Sequence, residues 1–423
     1  MKKEMLDSVY KTGKCVLVDR CQISGSTDLR QILFAGYIPP VNTMPLIGKR
    51  PDQSPAYPAE LLYCPESKLV QIGLIVDPCI IFPPEYAYTS GTTRILRENF
   101  TDMYEEAVRL FDIDKGSLVI DIGSNDGTLL KNWANNGYEV LGVEPTDIAK
   151  LATEAGIRTH NDYFSAACAQ ELKEKYGKAK VVTATNVFAH IEDPNSTMEA
   201  VKTVLDEDGI FISESHYLMP LLETLQYDTI YHEHLRYYSL QSLQYLFDRH
   251  GLEIIHACDI PTHGGSIRVY AALKGALKVQ PIVQEKLKKE DEYLTKQTFS
   301  EFKDRVIESK LKLMSLLERL KVQEKARICG IGAPSRASTI MNYVGLDEGI
   351  IDYVLEIKGS QKIGKYMPGT MIPVLEESIL YEEQPEYALL FSWHIAEELI
   401  PKIRKKGFKG KFIVPLPKPR IVD

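Results

Sequence analysis

Few folds accommodate the stretch Leu118-Val119-Ile120-Asp121-Ile122-Gly123-Ser124-Asn125-Asp126-Gly127-Thr128-Leu129-Leu130, in which a short apolar run meets a glycine-containing polar turn and a helical pattern starts at once. A run of that length bounded by glycine reads as a strand buried on both faces, the kind found in parallel sheets covered by helices. The alternation continues through Glu139-Val140-Leu141-Gly142-Val143 and Val181-Val182-Thr183-Ala184. It resumes in Ala326-Arg327-Ile328-Cys329-Gly330-Ile331-Gly332, Ile351-Asp352-Tyr353-Val354-Leu355 and Tyr387-Ala388-Leu389-Leu390-Phe391. The expected class is α/β, with a central Rossmann-like sheet and a second Rossmann-like domain at the C-terminus. A chain of 423 residues exceeds one ordinary core, and three units are expected, at 1–84, 85–276 and 277–423. The first carries turn formers such as Tyr37-Ile38-Pro39-Pro40 and Phe82-Pro83-Pro84 with little helical periodicity, which predicts a small β-rich domain. Residues 280–322 are dense in Lys and Glu with apolar residues three and four apart, which predicts amphipathic helices bridging the second and third units.

The net charge of −8 offers no field for a phosphate backbone, so nucleic acid is not an expected partner. No apolar run reaches membrane-spanning length, and none near Met1 resembles a secretory signal, so no membrane partner and a cytoplasmic location are expected. Seven cysteines, sparse and odd in number, fit a reducing compartment.

The turn after the first strand departs from G-x-G-x-x-G, which makes room for a pyrophosphate; the polar side chains of Gly123-Ser124-Asn125-Asp126-Gly127 suit the charged amino-acid end of S-adenosyl-L-methionine better. Glu144, ending the next strand about twenty residues on, is placed to accept from both ribose hydroxyls. The segment from Thr185 to Asp193 ends a third strand and is expected to line the same cleft, with Asn186, Val187 and Phe188 toward the cofactor and His190 toward the reacting centre or into the core. The central unit thus reads as a class I methyltransferase domain.

The segment from Gln226 to Tyr238 crowds imidazoles, carboxylates and phenols into one span, a density that is costly in a core and useful in a cleft. Methylating carbon requires loss of a proton beside a carbonyl, and imidazole is a suitable base at neutral pH. His234 is the candidate base, Tyr231 a donor to the enolate oxygen, and Glu233 a group that orients the imidazole or a sugar hydroxyl. His232-Glu233-His234 also reads as half of a metal site or as a structural polar cluster. The run Thr262-His263-Gly264-Gly265-Ser266-Ile267-Arg268 reads as a turn into a final strand.

Three stretches together, Ile122-Gly123-Ser124-Asn125-Asp126-Gly127, Ile230-Tyr231-His232-Glu233-His234 and Gly332-Ala333-Pro334-Ser335-Arg336, resemble the sugar C-methyltransferases of deoxysugar biosynthesis along essentially the whole chain. The resemblance implies a nucleotide-linked keto sugar as acceptor, methylated at C3 or C5, and the same roles for His234, Tyr231 and Glu233. It implies that the segment from Tyr86 to Gly91, with Tyr88 and Ser90, closes over the cofactor. It also implies that Arg336, Lys362, Lys365, Tyr366 and the Pro368-Gly369 turn hold the nucleotide diphosphate, with His232 and Trp393 as further substrate contacts. A monomer or weak dimer is expected.

That family carries a zinc module with two Cys-x-x-Cys pairs at its N-terminus. Here the matching stretches are Cys21-Gln22-Ile23-Ser24 and Cys64-Pro65-Glu66-Ser67, each with its second thiolate gone, and Cys15 and Cys79 lack paired spacing. No metal is therefore expected. Arg336 and Glu356 stand where the family usually has Lys and Asp, which leaves the nucleotide open.

Overall fold

The computed structural model describes residues 12–82, 91 and 93–423. The chain is α/β. Its central sheet has the order Leu252–Ile260, Ser266–Leu273, Leu205–His216, Ala179–Thr185, Leu118–Ile122, Glu139–Val143 and Thr159–His160. The strands from Leu205–His216 onward are parallel, and Ser266–Leu273 runs antiparallel to both of its neighbours. Leu118–Ile122 is buried at every residue. Ile120 and Ile122 join Val182, Ala184 and Phe211 in one core layer, while Val119, Val181, Ile210 and Trp133 form the opposite layer. That two-sided burial is why the run is almost wholly apolar. Its exception, Asp121, accepts from the Thr183 hydroxyl at 2.6 Å, and burial pushes its carboxyl up to about 7.

The chain leaves Leu118–Ile122 in one direction to Glu139–Val143, while Ala179–Thr185 pairs on its other side, so a crevice opens at the carboxyl ends of the two central strands. The C-terminal sheet repeats the arrangement in the order Val374–Glu376, Tyr353–Glu356, Ile328–Ile331, Tyr387–Leu390, Lys411–Val414 and Arg420–Val422, parallel except at the last strand. Between the sheets lie the helices Pro281–Tyr293 and Lys296–Glu318, the second burying Phe299, Phe302, Val306, Leu313 and Leu317 at helical spacing.

The N-terminal part is β-rich, and its four-stranded antiparallel sheet takes its edge strand from far away. The order is Arg236–Tyr237, Leu69–Ile72, Tyr57–Cys64 and Arg30–Ile38, so the residues just after the histidine-rich motif complete the first sheet. The two Cys-x-x-Ser turns meet beside this sheet. Cys21 Sγ and Ser67 Oγ lie 3.0 Å apart, Ser24 Oγ and Cys64 Sγ 3.6 Å apart, and the Ser24 N–H donates to Cys21 Sγ at 3.4 Å. Two thiols and two neutral hydroxyls, hydrogen-bonded to one another, do not fit a structural zinc that needs four thiolate or imidazole ligands.

Candidate active site

On one side of the crevice the turn after Leu118–Ile122 is shaped by close packing. Gly123 has φ +70°, and a Cβ there would fall 2.5 Å from Val187 Cγ2, so only glycine leaves the backbone open to a ligand. Asp126 accepts from the Thr128 N–H and hydroxyl at 3.1 and 2.6 Å and from the Gly91 N–H at 2.9 Å, tying the turn to the edge of the segment that precedes the helix Arg94–Leu110. Ser124 faces the sheet: its Oγ lies where a Cβ on Gly142 would come within 2.3 Å. Asn125 and Asn186 both have positive φ, at 50° and 56°, which turns the backbone sharply at the ends of the two central strands.

Glu144 is buried and accepts from the Asn125 N–H at 3.1 Å on one oxygen and from the Thr146 N–H and hydroxyl at 2.9 and 2.6 Å on the other. A carboxylate offers about four acceptor positions, so one remains for a ribose hydroxyl rather than two. Phe188 points away from the crevice, its fully buried ring stacked on Tyr238 with centroids 5.4 Å apart. The glycine turn and the buried acid at the next strand end fit S-adenosylmethionine in character and order. Tyr88 and Ser90 lie outside the described residues.

The other side is assembled from all parts of the chain. His234 Nδ1 donates to the Thr229 carbonyl at 2.9 Å, so in the neutral ring Nε2 carries the lone pair, and the Tyr231 hydroxyl lies 3.2 Å from it. Burial, then the neighbouring His190, hold the His234 pKa well below its ordinary value, so the ring is neutral and basic at Nε2. His190 donates from Nδ1 to the Glu233 carbonyl at 2.6 Å, and its ring centroid is 5.1 Å from that of His234. The Glu233 carboxylate accepts from Asn42 Nδ2 at 2.6 Å, and burial pushes its pKa up to about 7 against the pull of Lys362.

Arg336, Trp393, His232, Tyr366 and Lys362 each have at least one polar group on a protein partner. Arg336 pairs with Asp228 at 2.8 Å through Nε and 2.9 Å through Nη2, and its Nη1 donates to His394 Nδ1 at 2.8 Å. The Trp393 indole N–H donates to Asp228 Oδ2, the oxygen that Arg336 Nε faces, at 2.7 Å. His232 Nε2 donates to the Pro58 carbonyl at 3.1 Å, and the Tyr366 hydroxyl accepts from the Gly48 N–H at 3.2 Å. Lys362 Nζ donates to the Ala333 carbonyl at 2.5 Å, with the charges of Glu356 and Glu233 nearby. Asn42, Asp228, His216, His263 and His394 were not singled out by the sequence. Asp228 and His263 stand inside the two motif stretches, whereas nothing around Asn42 marks it.

Behind the site, Arg268 forms a buried pair with Glu214 at 2.8 Å and a second contact with Glu106 at 3.0 Å. Glu106 also lies near His256 and Cys258, the one group of possible metal ligands among the described residues. The Arg268 guanidinium already holds that carboxylate, whose pKa burial pushes up but hydrogen bonding with His256, Tyr270 and Cys258, and then the Arg268 charge, bring down to about 2.

Comparison with known proteins fits this geometry. Residues 95–257 match a family described as a methyltransferase domain, and residues 261–417 match one described as a C-methyltransferase C-terminal domain. The C-methyltransferase NovU of Streptomyces niveus is 31% identical over 415 residues, covering 96% of this chain and 97% of that protein. The ubiquinone biosynthesis O-methyltransferase of Colwellia psychrerythraea is 28% identical over 157 residues, 34% of this chain and 63% of that protein. A solved S-adenosylmethionine-dependent methyltransferase from Anabaena variabilis covers 45% of this chain and 89% of its own at 15% identity, but its TM-score of 0.36 carries no weight here. With a relative aligned along nearly its entire length and the two domain matches falling in order, the chain belongs to the C-methyltransferase family and is an S-adenosylmethionine-dependent C-methyltransferase.

Proposed function

We propose that this enzyme methylates a carbon beside the ketone of a nucleotide-diphosphate-linked deoxysugar, at C3 or C5. When bound, S-adenosylmethionine supplies an electrophilic methyl group. His234 Nε2 removes the proton from the carbon next to the carbonyl, its Nδ1 locked on the Thr229 carbonyl so that the lone pair stays on Nε2, beside the Tyr231 hydroxyl. Tyr231, 3.2 Å from that nitrogen, donates to the oxygen on which charge develops. Glu233, steadied by Asn42, accepts from a sugar hydroxyl. His190 fixes the backbone of the motif through the Glu233 carbonyl.

On the donor side, Gly123, Asn125, Asp126, Asn186 and the backbone at Ser124, Val187 and Phe188 cradle the cofactor, and Glu144 takes a ribose hydroxyl. The unit at 277–423 holds the nucleotide, with Lys362, whose charge acts on Glu233, as a cation for it and Arg336, Trp393, His232 and Tyr366 bracing the walls. The observation that carries this reading is a half-buried, neutral, tautomer-fixed His234 in a carbon-methylating family. Mass spectrometry of products from a panel of nucleotide-linked 4-keto-6-deoxy sugars tests it. A gain of one methylene unit on one sugar, lost in His234→Ala, is expected, and no transfer across the panel despite cofactor binding overturns the sugar assignment.

A further inference from the structure

Most of the histidines around the acceptor side are tied by ring nitrogens. His234 uses both, His190 and His216 each donate one, and His394 accepts from Arg336. His263 differs. Among the described residues none hydrogen-bonds to its ring, and the residue is exposed to solvent. Yet it lies deep enough for desolvation to lower its pKa to about 4, followed by the charge of Arg336. An accessible ring that is also surrounded by protein lines a cleft rather than the outer surface. His234 lies within electrostatic reach of it, and the turn Thr262–Gly264 packs on Trp393–Ile395.

The backbone at His263 is held at φ 57°, ψ 17°, a left-handed conformation that is strained for a non-glycine residue. Its neighbours enforce it. A Cβ on Gly264 would lie 2.7 Å from Gln226 Oε1 and one on Gly265 2.6 Å from Pro220 Cβ, and Gln226 Nε2 donates to the Gly264 carbonyl at 2.6 Å. The turn is wedged in place, with an exposed imidazole on which the Arg336 charge acts. A neutral imidazole N–H, flanked by Arg336, which discourages its protonation, suits a carbonyl oxygen gaining charge; a diphosphate would favour a cation.

We propose that His263 is a further catalytic residue whose ring N–H donates to the acceptor's carbonyl oxygen and holds the negative charge that forms there. The inference rests on the ketone reading above. As His234 Nε2 takes the proton, the C–H electron pair becomes the enolate double bond and the carbonyl π pair moves to oxygen, where His263 meets it. Enolisation is read alone by following deuterium exchange at the carbon next to the carbonyl of TDP-4-keto-6-deoxyglucose in D₂O, with S-adenosylhomocysteine bound. His263→Asn keeps a donor on a residue that tolerates positive φ, and is expected to retain at least about a tenth of the exchange rate. His263→Phe is expected to lose about 100-fold or more, with S-adenosylhomocysteine affinity within about twofold of wild type for both. Exchange by His263→Phe within about threefold of wild type overturns the proposal, as does equal loss of exchange and of S-adenosylhomocysteine binding in both variants. Absence of exchange by wild type overturns the ketone reading itself, and this proposal with it.

Discussion

The donor and acceptor sides of the crevice are built in opposite ways. The donor side comes from consecutive turns at the ends of neighbouring strands, and its polar groups find partners close by in the chain, as when Glu144 takes the Asn125 and Thr146 N–H groups and Asp126 that of Gly91, 35 residues away. The acceptor side draws on residues far apart in the chain. Asn42 reaches Glu233 from 191 residues away, and Arg336 reaches Asp228 from 108. A nucleoside pocket needs only the strand-turn-helix geometry that a local sequence encodes. A site that abstracts a proton from carbon also needs desolvation and fixed tautomers, which no single segment supplies.

If the two sides are separable, His234→Ala lowers kcat by about 10³-fold while S-adenosylhomocysteine affinity, measured by calorimetry, stays within about twofold. A parallel loss of cofactor binding would break the comparison. Next in size is Asp228→Asn, which strands a buried guanidinium and is expected to destabilise the fold by about 3 kcal/mol in urea unfolding. Adding Arg336→Gln recovers part of that loss if the pair joins the motif loop to the C-terminal unit.

On the donor side, Gly123→Ala places a Cβ 2.5 Å from Val187 Cγ2 at positive φ and weakens S-adenosylmethionine binding about tenfold with a smaller effect on the acceptor KM. Val187→Ala in the same chain restores part of the affinity. The smallest effect at neutral pH concerns Glu233. Burial raises its pKa to about 7, and its carboxylate form is the one that accepts a hydroxyl, so kcat/KM falls as pH drops through about 7. Because the His234 pKa is lowered, no second limb appears near the ordinary histidine value, and Glu233→Gln removes the limb that remains.

Legibility in the sequence follows the same division. The buried run Leu118–Ile122, the Gly123 turn and Glu144 could be read directly, because strand burial and tight turns leave a signature in residue type. The two reversals of strand order were legible only as alternation, and the pairing of Arg236–Tyr237 with Leu69–Ile72 was not legible at all, since a two-residue edge strand has no period. The polar side chain of Ser124 and the place of Phe188 at a strand end both suggest that these residues face the cofactor. Their side chains instead turn onto Gly142 and Tyr238, where packing offered each a fit.

The sequence alone determined the α/β alternation, the donor turn and the residue types available for proton transfer. Only the tertiary structure decided that Arg336 neutralises Asp228, that Asn42 holds Glu233, and that His263 is exposed with no hydrogen bond to its ring among the described residues. The reason is physical: spacing along a chain sets which residues share a strand or helix, while the strength of a charge pair or hydrogen bond depends on burial and distance, which exist only after folding.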